Sequence, residues 1–278
     1  MHLTAISRNS MYSLLGLDQV LQLSKITGLS VSDPKQLLEL ENLIILFAKI
    51  LTPEMSGVIL SSEVGYPALS QKHLGVGPVF AVERRLIEPD PYTIPLLLQH
   101  WNVEAIRNNY AMAKLELYFN PNEEEVVTKL QMVAELYEYC KHVGIDFLLE
   151  LIVVVEAKEK DYKPLFQQVQ LEAVQELRKY CDLMALEFPF DALGAVTLTA
   201  ELDIPWIVTA GDTSYDIFKE NLRTALESGA KGFMGLEQFL PPECKKDSYD
   251  RSIVERFVMT QGRDRAIELG RIVTEAAA

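Results

Sequence analysis

Two apolar strand-like segments carry charges that such segments rarely tolerate. Ala111-Met112-Ala113-Lys114-Leu115-Glu116-Leu117-Tyr118-Phe119 alternates, with Lys114, Glu116 and Tyr118 on one face and Leu115, Leu117 and Phe119 on the other. Glu150 is the single charge within Phe147-Leu148-Leu149-Glu150-Leu151-Ile152-Val153-Val154-Val155. A lysine buried in such a strand needs a partner, and Glu116 and Glu150 are the near candidates. One reading is a structural ion pair that keeps Glu150 ionised. The other is chemical: a desolvated Lys114 serves as an amine or binds substrate, and an unpaired Glu150 has a raised pKa and moves protons.

Other polar residues fall at the ends of apolar runs: Asp18 and Gln19, Glu63, Glu83 to Arg85, Glu187 and Glu237. Glu187, just before Phe188-Pro189, is either an acid at a site mouth or a cap on a neighbouring loop. The stretch Ala210-Gly211-Asp212-Thr213-Ser214 leads into a helical pattern. Its glycine admits close backbone approach, and the N–H groups of a helix start can hold an anion. A plain N-cap by Asp212 or Thr213 explains the same residues. The histidines are scattered with no ligand spacing, so neither a metal nor a cofactor is expected. Carboxylates at several strand ends leave Mg²⁺ as the alternative.

The elements that must position these residues alternate in type. Strands are expected over 12–17, 55–61, 76–82, 111–119, 146–155, 181–189, 205–210 and 232–236. Helical patterns lie at 34–51, 96–110, 123–143, 165–180, 192–202, 215–228 and 249–274, with polar loop after Asp18-Gln19 and a proline-rich crossing of the mouth at 86–94. Near-continuous apolar strands separated by helices predict parallel pairing. Eight such units predict one (β/α)8 barrel over residues 1–278, with chemistry at the C-terminal strand ends. A doubly wound sheet is the competing fold, but no GxGxxG follows the first strand.

The net charge of −14 argues against nucleic acid and anionic membranes as partners. Cys140, Cys181 and Cys244 form no CxxC pair and are expected to be buried reduced thiols of a cytoplasmic protein. No signal-peptide pattern is evident, and no apolar run is long enough to span a bilayer as a helix.

Six segments, taken in order, resemble the tagatose 1,6-bisphosphate aldolase family of class I aldolases. They are LLGLDQ, SSEVGYPA, AMAKLELYFNPNEEE, DFLLEL, DLMALEFP and PWIVTAGDTSYDIFKENLRTALESGAKGFMG. The resemblance implies a (β/α)8 barrel, a carbon–carbon lyase of carbohydrate metabolism, Schiff-base chemistry without metal, and a ketose bisphosphate substrate. It implies site roles for Asp18 and Gln19 on strand one, Lys114 near the substrate, Glu150 in proton transfer, Glu187, and phosphate-loop glycines at Gly211 and Gly235.

Three positions depart from that pattern. Ala185 stands where the family has its imine-forming lysine, and a methyl group cannot form an imine. Val20 and Leu236-Glu237 stand where the family has arginines. The expected protein is therefore a divergent aldolase-like lyase acting on a sugar phosphate or related carbonyl compound. Catalysis would fall to Lys114 (as replacement amine), Glu150 and Asp18, and substrate binding to Gln19, Glu187, Gly211, Asp212, Thr213 and Gly235. Two alternatives stand beside it: a non-catalytic barrel that binds a small ligand or a partner protein, and an enzyme of another class with a carboxylate-rich, Mg²⁺-binding mouth. The expected partner is a small molecule, and self-association into a homo-oligomer is compatible with the chain.

Overall fold

The computed structural model describes residues 2–156, 159–211, 213–241 and 249–277, excluding the side chains of 100, 101, 159 and 160. The strands are β1 (Tyr12–Leu17), β2 (Gly57–Ser61), β3 (Gly77–Ala81), β4 (Met112–Phe119), β5 (Phe147–Val153), β6 (Leu183–Glu187), β7 (Trp206–Thr209) and β8 (Gly232–Gly235). They close into a barrel in sequence order, with every neighbouring pair parallel. The helices are α1 (Val20–Thr27), α2 (Pro34–Leu51), α3 (Tyr66–Leu69), α4 (Val103–Asn108), α5 (Val126–Val143), α6 (Glu159–Leu177), α7 (Ala192–Glu201), α8 (Tyr215–Glu227), α9 (Arg251–Phe257) and α10 (Arg263–Glu275). The expected (β/α)8 architecture is the one found.

Alternation of side chains divides the apolar residues into two cores. Leu14, Ile59, Val79, Met112, Leu148, Leu183, Ala185, Ile207 and Met234 pack inside the barrel, together with Ile6 from the N-terminal segment. Leu15, Leu115, Leu117, Phe119, Leu149, Leu151 and Val208 pack outward against the helices. Ile6 thus helps to plug the N-terminal end. The same end has no room for a side chain at Gly232: its φ is +144°, and a β-carbon there would lie 1.8 Å from the Tyr12 carbonyl oxygen.

Local chemistry accounts for the helix ends. Asp33 caps α2 by accepting from the Lys35 and Gln36 N–H groups, with Pro34 at the first helical position. Gly144 follows α5 in the left-handed conformation. Four expectations need correction. The segment after Gln19 is a helix, α1, whose Val20 and Leu23 are buried and whose end is the left-handed Gly28. Helix α4 is much shorter than 96–110, because Leu97 instead bridges to Glu83. Helix α6 begins before Leu165 and carries Pro164 within it. The last helix is interrupted by a π-helical turn at Val258–Gly262.

Candidate active site

The register of the barrel sets the site. Glu116 of β4 lies beside Glu150 of β5, Glu150 beside Ala185 of β6, and Ala185 beside Ile207 of β7. Two carboxylates, a methyl group and a branched alkyl group therefore form one row across four strands. Lys114 stands one inward position earlier on β4, beside Ala81 and Leu148. Asp18 and Glu83 follow the ends of β1 and β3.

Six charges meet there. The Lys114 ammonium lies 2.6 Å from Asp18 Oδ2 and 2.5 Å from Glu150 Oε2, with Glu83 Oε1 at 3.9 Å. Arg85 reaches Glu116 Oε1 at 2.9 Å, Glu83 Oε1 at 3.2 Å and Asp18 Oδ2 at 3.7 Å. Its Nε also donates to the Asp18 carbonyl at 3.1 Å. The Glu116 N–H donates to Glu83 Oε1 at 3.2 Å. Four carboxyl groups thus share two cations. Asp18 Oδ1 and Glu83 Oε2 are buried with no hydrogen-bond partner among the described residues.

The shortage of positive charge splits the carboxyl groups into two kinds. Burial pushes Asp18 up, but Lys114 and Arg85 together outweigh it and hold Asp18 below the usual carboxylate range. Glu116 behaves alike: burial is opposed and exceeded by Arg85 and then Lys114. Burial wins at Glu83, which Lys114 and Arg85 pull down and Glu116 and Asp18 push up, leaving it at about 7. Glu150 also rises to about 7, through burial first, against Lys114 and with the added repulsion of Glu116 and Asp18. One of the two readings of the sequence has pairing with Lys114 keep Glu150 ionised. That pairing does not suffice, because the same ammonium also serves Asp18. Burial pulls Lys114 down, yet Asp18 and Glu150 overcome this and raise it above the ordinary lysine value. Lys114 is an ammonium.

A cavity of about 500 Å³ opens above this cluster. Glu83, Arg85, Glu116 and Glu150 line it, with Gln19 and Gln22 after β1, Glu187 at the end of β6, Thr209 to Gly211 from the end of β7, and Gly235 to Gln238 from the end of β8. Lys114 and Asp18 have no exposed surface, and neither lines the cavity. Ala185 is likewise fully buried inside the barrel.

The proline-rich loop forms one wall, as the sequence suggests, through Ile87 to Asp90 and Thr93 to Leu96. Its neck is tied by the Glu83–Leu97 bridge, and its start by Glu63 Oε2, which accepts from the Arg85 and Leu86 N–H groups. Its crest is held by the buried Lys129 ammonium. That group donates to the Pro91 and Tyr118 carbonyls at 3.0 and 2.8 Å, and to Glu123 at 3.0 Å.

The predicted site residues therefore fall in three places. Glu150, Gln19, Glu187, Gly211 and Gly235 line the cavity, whereas Asp18 and Lys114 lie in the charge cluster below it. Thr213 turns its hydroxyl to the Ala210 carbonyl, and Asp212 lies outside the described residues. The cap of α8 is Ser214, which accepts from the Ile217 N–H, in place of Thr213. Arg85 and Glu83 were passed over as site residues. Their signal was the Glu83-Arg84-Arg85 triplet at the end of an apolar strand, where a charge must either face solvent or enter the barrel mouth. Among the described residues no group of three histidine, cysteine or acidic side chains is arranged to hold a metal ion.

A closed parallel barrel with a cluster of buried carboxyl groups at the C-terminal strand ends defines a (β/α)8 protein. The chain matches the DeoC/LacD family aldolase over residues 12–240, and it belongs to that family. It is 25% identical over 256 residues to tagatose 1,6-diphosphate aldolase 2 of Streptococcus pyogenes serotype M1, covering 81% of this chain and 78% of that protein. It is 24% identical over 249 residues to tagatose 1,6-diphosphate aldolase of Staphylococcus aureus strain JH9, covering 79% of this chain and 76% of that protein. An archaeal fructose 1,6-bisphosphate aldolase shares the fold, with a TM-score of 0.66, 12% identity, and coverage of 97% and 96% of the two chains.

Proposed function

We propose that this barrel is an aldolase-type carbon–carbon lyase for a small carbonyl compound, with Glu150 as its proton carrier and Lys114 as a fixed positive charge. The observation that carries this reading is the placement of a carboxyl group with a pKa of about 7 on the cavity floor, directly over a buried ammonium. A group with that value is available both as acid and as base near neutral pH.

In the cleavage direction Glu150, as carboxylate, takes the proton of the substrate hydroxyl. The carbon–carbon bond breaks, its electron pair passes into the carbonyl as an enolate, and a protonated carboxyl group returns a proton to carbon. Glu150, protonated in the first step, makes that return, and Glu83, which also lines the cavity with a pKa of about 7, is a second acid beside it. Arg85, on the same wall, supplies positive charge where the enolate oxygen develops. Lys114 holds Asp18 and Glu150 in place from below. An amine in this position would attack a carbonyl only after losing its proton and displacing Glu150, and both steps oppose its role as the imine-forming group.

Exchange of the carbon-bound hydrogens of dihydroxyacetone for deuterium, followed by NMR, tests the assignment. Wild-type protein is expected to accelerate exchange, and Glu150→Gln to slow it by roughly 10²–10⁴-fold while ligand binding persists. Exchange at the wild-type rate in Glu150→Gln removes Glu150 from the role. Ligand binding without exchange in the wild type favours a non-catalytic binding barrel.

A further inference from the structure

The loops around the cavity contribute side chains of different charge. On the side of loops one and three stand Lys25 and Arg84, both lining residues. On the side of loops seven and eight stand Gly211, Gly235, Glu237 and Gln238. That second corner is where barrels of this type ordinarily hold a phosphate, through backbone N–H groups and added cations. Here loop eight contributes two acceptors, the Glu237 carboxylate, which already accepts from Gln22 Nε2, and Gln238 Oε1.

Gln238 decides the point. It is buried, and its Nε2 donates to the Thr213 carbonyl at 3.3 Å. That contact fixes which end of the amide is which, because a carbonyl requires a donor. The other end, Oε1, is buried with no hydrogen-bond partner among the described residues. It stands over Gly235, 2.9 Å from the position a β-carbon would take. The residue itself is held from behind, where Arg265 Nη1 donates to the Gln238 carbonyl at 2.9 Å. A buried acceptor without a donor is unfavourable, and a ligand that supplies one relieves it. A phosphate brings chiefly acceptors and negative charge, and its negative charge would also meet the Glu237 carboxyl group next in sequence.

We infer that the loop-eight corner binds a hydrogen-bond donor of the ligand, a hydroxyl or ammonium group, in the place where a phosphate would sit. The substrate is then a hydroxylated or amino carbonyl compound with no phosphate at that end. Any single anionic group it carries lies toward Arg84, since the Lys25 ammonium is held by Glu88 at 2.7 Å. This inference rests on the lyase reading only in taking the cavity as the substrate site.

Thermal-shift and calorimetric titrations test it with inorganic phosphate, glycerol and ethanolamine as probes. The background protein carries Arg84→Ala and Lys25→Ala, so that phosphate held at the other end is removed. Inorganic phosphate is expected to bind this background at least about tenfold more weakly than the better of the two donor probes. Glu237→Arg is expected to reverse that order, and Gln238→Leu to abolish the donor-probe signal. Phosphate binding as tight as donor binding in the background protein overturns the inference, as does donor binding untouched by Gln238→Leu. Absence of any donor-probe signal also overturns it. Exchange assays separate the two claims. Deuterium exchange into dihydroxyacetone phosphate but not dihydroxyacetone sinks the donor corner and leaves the acid–base reading standing. No exchange into either, with the probe pattern as expected, does the reverse.

Discussion

At the scale of single residues, the site is governed by a deficit of cations. Four buried carboxyl groups surround Lys114 and Arg85, and the two that receive least compensation, Glu83 and Glu150, titrate near neutral pH. Their folded pKa of about 7 lies above the ordinary value of 4.5, so the native state binds protons that the unfolded chain releases. The stability these two groups contribute is complete below about pH 4.5 and is lost as pH rises to about 7. Asp18 and Glu116 have the opposite sign: their lowered values add stability above the ordinary carboxylate range that is lost on further acidification. Urea unfolding at a series of pH values is therefore expected to show stability declining between about pH 5 and 7, with the decline reduced in Glu83→Gln. A flat profile through that window contradicts the assignment. Removing the central cation is more severe. Lys114→Met leaves Asp18 and Glu150 without their shared partner and is expected to destabilise the fold by about 3–5 kcal/mol in the same assay. A loss below about 1 kcal/mol would mean that the ion pairs contribute little.

At the scale of elements, the mouth is shaped by the loop between β3 and α4, tied down by one lysine from α5. Lys129 has a fully buried side chain, and its ammonium satisfies two carbonyls and a carboxylate. Lys129→Met is expected to cost about 3 kcal/mol and to raise amide hydrogen exchange selectively in residues 84–96. Uniform exchange across the barrel would instead indicate a global effect. This lysine was not legible in the sequence, because nothing in the mixed polar and apolar run of α5 marks one lysine as the buried one. Helix α1 was missed for a related reason: Ser24, Lys25 and Gln22 made an amphipathic turn look like polar loop. The strands were legible almost to the residue, since inward and outward packing both demand apolar side chains in a closed parallel barrel. Lys114, Glu116 and Glu150 stood out against that background. Arg85 and Glu83 did not, because a charged triplet beyond a strand end has no periodicity to say which member turns inward.

At the scale of the whole molecule, one closed barrel carries both the family match and the buried charge cluster. The barrel, its strand order and its match to the DeoC/LacD family aldolase run through nearly all of the chain. Ala185 occupies the row of inward residues beside Glu150, fully buried, so β6 presents a methyl group to the interior. Lys114 is buried below the cavity, so its own amine has no open path to a carbonyl there. The proposed function therefore rests on acid–base chemistry at Glu150, with positive charge beneath it. Intact-mass measurement after borohydride reduction in the presence of dihydroxyacetone tests this most directly. The account predicts that the protein mass stays unchanged while deuterium exchange into the same ketone proceeds. A reduced adduct on the wild-type chain that is lost in Lys114→Ala would contradict it and make Lys114 the imine-forming amine.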